Sequence, residues 1–276
     1  MQARLEPDGY TAWFGSELGE RVWRDERRAL NHALGEVAGR TVLDVGAGDG
    51  RLARELAARG ARVVALDRSA DMLAAAGAGD GPGSGLTRVR ADAVALPFPD
   101  GSFDRVIAVT VLCFADRPGE MIREMARVAR PGGRVVLGEL GRWSTWSLAR
   151  RVRGWLGDEL WATARFRTAP ELRQLLARAG LRPGPVHGAV FYPRSVYAAR
   201  LLGPVDRRFG RHTTIGAAFL AVAGVNVDEG SAGGYSRSGT TSPGCGEGSG
   251  RSRSAAIPPP TRWPACGWIL SMTRPR

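Results

Sequence analysis

The sequence predicts a doubly wound α/β fold built on a mostly parallel sheet. Three observations predict it. Residues 41–52 read TVLDVGAGDGRL, a short apolar strand, a glycine-rich turn and the start of a helix. Strand-like and helix-like runs then alternate, which is the trace a parallel sheet with helical crossovers leaves in a sequence. Polar or acidic residues stand at the ends of the early strands, at Asp44, Asp67, Asp92 and Thr110. Open α/β sheets bind ligands at that carboxyl edge.

A chain of 276 residues with 43% hydrophobic content can bury a sizeable core. The net charge is +12, and because the chain has no Lys, all of its basic side chains are Arg. The charge is unevenly spread: about 19 Arg face 20 acids up to Glu139, and about 14 Arg face 4 acids from Leu140 to Gly216. The basic segment suits an anionic substrate, a membrane surface or nucleic acid. Cys113, Cys245 and Cys266 form no C-x-x-C pair, so neither a disulfide framework nor a metal site is expected. The first ten residues hold no apolar signal region and no apolar run is long enough to span a bilayer, which makes the cytoplasm the expected compartment.

In order, residues 1–40 read as an N-terminal helical cap, with Tyr10, Trp13 and Phe14 close together and a helix over 19–37. Strands are expected at 62–66, ending at Asp67, then at 87–91 and 103–109. Ser69 is placed to cap the helix after the second strand. The loop over 77–85 reads as a glycine-rich connection. Pro118 stands at the start of a helix. Met121, Met125 and Val128 make its core-facing stripe. Pro131-Gly132-Gly133 turns the chain into a fifth strand ending near Glu139. Thr168 and Glu171 form a capping box, followed by a helix whose face is Leu172, Leu175, Leu176 and Ala179. Two further strands are expected near 186–192 and 215–223, which makes seven.

The turn carries the chemistry. Glycines at 46, 48 and 50 permit a tight turn and a close approach of ligand to backbone. A dinucleotide fingerprint wants Gly or Ala where Arg51 stands. Asp67, about 20 residues on, is placed to accept from both hydroxyls of a ribose and would repel a 2′-phosphate. The run D-x-G-x-G-x-G after a strand (Asp44 to Gly50) resembles motif I of the class I S-adenosylmethionine-dependent methyltransferases. LPFPDGSFD before the fourth strand and RPGG before the fifth resemble the ubiquinone/menaquinone biosynthesis type within that family.

The resemblance implies a Rossmann-like doubly wound seven-stranded mostly parallel sheet, its last strand antiparallel, with N-terminal helices and a helical lid insertion. It implies S-adenosylmethionine as cofactor, bound by Asp44, Gly46, Ala47, Gly48, Gly50, Asp67, Arg68 and Thr110, with Asp92 on the adenine amino group and the Ala93 N–H on a ring nitrogen. The methyltransferase domain is expected over 41–225. Residues 141–168 form its lid, and Tyr10, Trp13, Arg142 and Trp143 lie on the acceptor side. Glu139, His187 and Tyr192 are the candidates for a general base. The acceptor is expected to be a small molecule, aromatic, quinone-like or lipid-linked. Three alternatives stay open: a nucleic-acid methyltransferase using the Arg-rich 141–211 segment, although no separate RNA-binding module is recognisable; a membrane-lipid methyltransferase; and a non-catalytic S-adenosylmethionine-binding protein. The sequence does not specify an oligomeric state. Beyond residue 226 Gly, Ser, Pro and Arg dominate, which reads as a disordered tail or as the product of a frameshift in a GC-rich gene.

Overall fold

A computed structural model describes residues 12–77, 85–210 and 212–227. They fall in one compact unit, Met1–Ala232. Tyr10, most of the 77–85 connection and nearly all of the tail lie outside the described residues.

Helix α1 (Glu17–Leu34) leads into β1 (Thr41–Val45), α2 (Arg51–Ala58), β2 (Arg62–Asp67), α3 (Ala70–Gly77), β3 (Leu86–Arg90) and β4 (Phe103–Val109). A 3-10 turn (Leu112–Phe114) and α4 (Pro118–Val128) precede β5 (Ala129–Leu140). Then come α5 (Thr145–Trp155), α6 (Glu159–Thr163), α7 (Ala169–Arg178), β6 (Leu181–Ala189), α8 (Val196–Phe209) and β7 (Phe219–Asn226). The seven strands form one sheet in the order β3-β2-β1-β4-β5-β7-β6. The pairs β1–β2, β1–β4, β2–β3 and β4–β5 are parallel, and β7 runs antiparallel to both β5 and β6.

The central strands β1 and β4 are buried along almost their whole length because both faces are covered. On one face Leu30, Leu34, Leu52 and Leu56 pack over Val42, Val63, Ile107 and Val136. On the other, Met121, Ile122, Met125, Leu172 and Leu176 pack over Leu43, Val106, Val135 and Leu137. The expected stripe on α4 is therefore core. Thr168 and Glu171 close the capping box at the start of α7, and Ser69 accepts from the Met72 N–H at 3.3 Å. At the amino edge Asp104 accepts from the Thr41 N–H and hydroxyl, both at 2.8 Å, and pairs with Arg130 at 2.6 Å. Burial pushes its carboxyl up, but these hydrogen bonds and the charges of Arg130 and Arg40 outweigh burial and hold it below the usual range.

The last two strands differ from their sequence-derived positions. β6 begins at Leu181 rather than near 186, because Pro183 and Gly184 are accommodated where the β6–β7 register shifts between Pro183 and Val186. It ends at Ala189, so Tyr192 lies beyond the strand. β7 starts at Phe219 rather than near 215.

Tyr192 is fully buried; its hydroxyl donates to Asp25 Oδ2 at 3.0 Å, and its carbonyl accepts from Trp146 Nε1 at 2.7 Å. This one residue ties α1 to α5. Tyr192→Phe removes the donor and leaves a buried carboxylate oxygen short of a partner, so stability should fall by about 1–3 kcal/mol. A urea titration of both proteins measures it, and an unchanged midpoint would rule out this role.

Candidate functional site

The site is built where β1 runs out. The Gly46 and Ala47 N–H groups both donate to the Leu66 carbonyl, at 2.7 and 3.0 Å, which folds the loop over the end of β2. Gly46, Gly48 and Gly50 all have positive φ. They serve different purposes. A Cβ on Gly46 would lie 2.4 Å from Val111 Cγ2, and one on Gly50 would lie 2.8 Å from Ala76 Cβ, so these two glycines let neighbouring segments close in. A Cβ on Gly48 would meet nothing within 4 Å. Gly48 is the one of the three with open space beside it.

Three carboxylates surround this loop: Asp44, Asp49 and Asp67. Asp67 accepts from the Gly48 N–H at 3.0 Å through Oδ2 and from the Ser69 N–H at 2.9 Å through Oδ1. Asp49 Oδ1 accepts from the Arg51 N–H at 3.1 Å. Asp44 is 2% exposed, and its Oδ2 is buried without a hydrogen-bond partner. Burial first, then the charges of Asp67 and Asp49, push its carboxyl up to about 7. A positively charged group at the loop would relieve this repulsion, whereas a pyrophosphate would aggravate it. These residues therefore fit a cationic nucleoside such as S-adenosylmethionine better than a dinucleotide.

The neighbouring strand ends complete the rim. Arg68 is exposed, and its carbonyl accepts from Arg90 Nε at 3.2 Å. Asp92 is exposed, and its Oδ1 accepts from the Val94 N–H at 3.1 Å, a turn that also fixes the half-buried Ala93. Thr110 has φ +53°, a left-handed conformation that a β-branched residue adopts at a cost. Its N–H donates to the Gly138 carbonyl at 2.7 Å, so the strain is held by β5. The chain then turns into Val111, the residue packed on Gly46.

Glu139 lies under this rim. It is fully buried; Oε1 accepts from the Leu112 N–H at 2.9 Å and Oε2 has no partner. Burial, only partly offset by the Leu112 N–H, pushes it up to about 7. It holds the 3-10 turn on β5 and presents no surface to a substrate. His187 is on β6, four strands along the sheet from β1. It stacks on His32 at 5.2 Å beneath α1, away from the glycine loop. Tyr192 is interior, and burial followed by the nearby Asp25 raises its phenol above the ordinary value.

On the acceptor side, Arg142 pairs with Glu171 at 2.8 Å and donates to the Phe166 carbonyl at 3.1 Å, which roots the 141–168 segment on α7. Trp143 points outward, 61% exposed. Trp13 is half-buried and meets Trp146 edge-to-face at 6.0 Å. Two further residues matter more than the sequence showed. The Arg150 guanidinium lies over the rings of Trp161 and Trp146, at 4.8 and 5.5 Å. Burial lowers it to about 10, and among the described residues no carboxylate lies within 4.0 Å of it. Glu26 of α1 faces it through space; burial pushes Glu26 up to about 7, against the pull of Arg150. Arg150 was visible as part of an Arg-Trp cluster, whereas Glu26 carried no signal, since an acid on an amphipathic helix reads as solvated.

The family model for the methyltransferase domain matches residues 43–137. An uncharacterized protein of Mycobacterium tuberculosis is 35% identical over 173 residues, 63% of this chain and 57% of that protein. The demethylmenaquinone methyltransferase of Clavibacter sepedonicus is 39% identical over 120 residues, 44% of this chain and 48% of that enzyme. The chain thus spans about half the length of the curated relatives it matches. The crystal structure of an S-adenosylmethionine-dependent methyltransferase of Thermotoga maritima, described as a possible histamine N-methyltransferase, aligns with a TM-score of 0.61 at 22% identity, covering 79% of this chain and 95% of that one. At that identity the likeness is one of fold.

The raised Asp44 pKa makes a prediction with a definite sign. Its folded value, about 7, lies above the ordinary 3.8, so ionisation destabilises the ligand-free fold as pH climbs between them. Asp44→Asn should therefore gain in Tm over the parent protein as pH rises from about 4 towards about 7, with little gain at the acid end. A constant difference across that range would refute the assignment.

Proposed function

We propose, for a chain whose residues 43–137 belong to the class I S-adenosylmethionine-dependent methyltransferase family, that it transfers a methyl group from S-adenosylmethionine to a small planar acceptor. The observation that carries the reading is the loop itself: Gly48 open to ligand, ringed by Asp44, Asp49 and Asp67, with Asp44 Oδ2 buried and unpartnered.

When bound, S-adenosylmethionine supplies an activated methyl group on a sulfonium. Asp67, already turned to the loop, is placed to accept from the ribose hydroxyls. Asp44 supplies negative charge under the loop. Asp92 and Ala93 lie where the adenine edge would be read. Thr110 and Val111 form the wall between cofactor and acceptor. On the acceptor side, the half-buried Trp161 offers an aromatic ring, and Arg150 beside it offers a guanidinium for a carbonyl or an anionic oxygen. The chain's own contribution is alignment and exclusion of water, which in favourable cases lowers a barrier by about 7–11 kcal/mol. For an acceptor needing deprotonation, Glu26, raised to about 7 and facing Arg150, is a better candidate base than Glu139, which is sealed beneath the rim. The identity to demethylmenaquinone methyltransferases and the Trp161 ring favour an aromatic or quinone-like acceptor.

Thermal unfolding with and without S-adenosylmethionine tests the reading. Ligand at 100 times its Kd should add about 2.7 kcal/mol of apparent stability. Asp67→Ala should weaken that gain without unfolding the protein, and a folded parent protein with no gain would sink the proposal. If binding holds, labelled methyl donor offered with quinols and phenols should give labelled product, and Arg150→Ala should lower kcat/KM for the accepted one by about 5- to 100-fold.

A further inference from the structure

Helix α5 has two opposed faces. Trp146 and Ser147 are buried. Leu148, Val152, Trp155 and Leu156 recur at i, i+4, i+7 and i+8, one continuous stripe. They are 60%, 40%, 79% and 82% exposed, and Trp143, just before the helix, adds a further exposed ring. Arg151 and Arg153 border the stripe on either side.

Beside it lies a cleft of about 520 Å³ lined by Arg142, Arg151, Arg165, Arg167, Trp155 and Trp161, among others. Arg142 is neutralised by Glu171. Among the described residues, no carboxylate lies within 4.0 Å of the guanidinium of Arg151, Arg165 or Arg167. Arg167 Nε is buried with no hydrogen-bond partner. Arg167 faces buried Glu139 and donates to the Leu112 carbonyl at 3.4 Å, which leaves Arg151 and Arg165 as the cleft cations without a carboxylate neighbour. An apolar stripe next to them is a surface built to meet both hydrocarbon and anionic oxygen.

We propose that α5 is an interfacial helix that seats this protein on an anionic lipid bilayer. The stripe enters the boundary between headgroups and acyl chains, Trp143 and Trp155 lie at headgroup level, and the cleft arginines take lipid phosphate. A second copy of this chain is a poor occupant, because pairing the stripes would bring two arginine-rich surfaces together. Nucleic acid matches the charge but not a stripe of Leu148, Val152 and Leu156, which offers bases nothing to stack on. No helix of the described residues is long and apolar enough to cross a membrane, so the seat is on the surface. The proposal does not depend on methyl transfer.

The test is co-sedimentation of the full chain with phosphatidylcholine vesicles and with mixed phosphatidylcholine–phosphatidylglycerol vesicles, alongside tryptophan emission. The protein should partition onto the mixed vesicles with a blue shift, weakly onto the neutral ones, and less as salt rises. Leu148→Glu with Leu156→Glu should cut partitioning by at least about tenfold while leaving Tm unchanged, since both side chains are exposed. Arg151→Gln and Arg165→Gln should each cost about fivefold on mixed vesicles alone. Equal binding of parent and double-Glu proteins would overturn the proposal. So would a concentration-dependent dimer that the double-Glu variant abolishes, which would make the stripe a self-association face. So too would RNA binding without vesicle binding, or release from vesicles by free glycerol phosphate, which would make the cleft a site for a soluble phosphate.

Discussion

One carbonyl oxygen organises the site. Leu66 accepts from both Gly46 and Ala47, and that pair of hydrogen bonds bends the chain over β2 immediately after β1. The bend has three consequences. It forces left-handed backbone at Gly46, Gly48 and Gly50. It brings Gly46 against Val111 and Gly50 against Ala76, closing the loop onto β4 and α3. And it crowds Asp44, Asp49 and Asp67 together beneath the one glycine left open. None of the three follows from β1 alone; each needs the parallel pairing of β1 with β2, in which Val45 lies opposite Leu66.

That crowding makes the ligand-free site electrostatically unfavourable. Asp44, Glu139 and Glu26 are all pushed up to about 7, each chiefly by burial. Structural carboxylates elsewhere behave in the opposite way: Asp104, Glu124 and Glu171 are held below the usual range by arginines and backbone donors. The contrast separates carboxylates neutralised for stability from carboxylates left buried and short of partners. Groups that a protein could neutralise and does not are a mark of function.

The parts legible in the sequence are those that local chemistry determines. The Ser69 cap, the α7 capping box and the α4 stripe depend on residues within a few positions of one another, and the glycine loop was legible from its spacing although its closure needs Leu66, Val111 and Ala76. What was misplaced or missed depends on long-range contact. Tyr192 and His187 stood in the sequence as candidates for a general base. Tyr192 instead turns inward to Asp25, 167 residues away, and His187 stacks on His32 at the far edge of the sheet. β6 was read late because Pro183 and Gly184 suppress strand signal where a register shift tolerates them. Thr110 gave no hint of its positive φ, because a β-branched residue is the last expected there.

The segment after β5 shows why composition alone could not assign a role to the Arg-Trp cluster. Both inward and outward readings were open, and the structure supports each for different residues of one helix. Trp146 turns in, its indole bonded to the Tyr192 carbonyl, and carries Arg150 over its ring. Leu148, Val152 and Trp155 turn out. A period of 3.6 residues sorts one basic, aromatic string into a buried face and an exposed stripe.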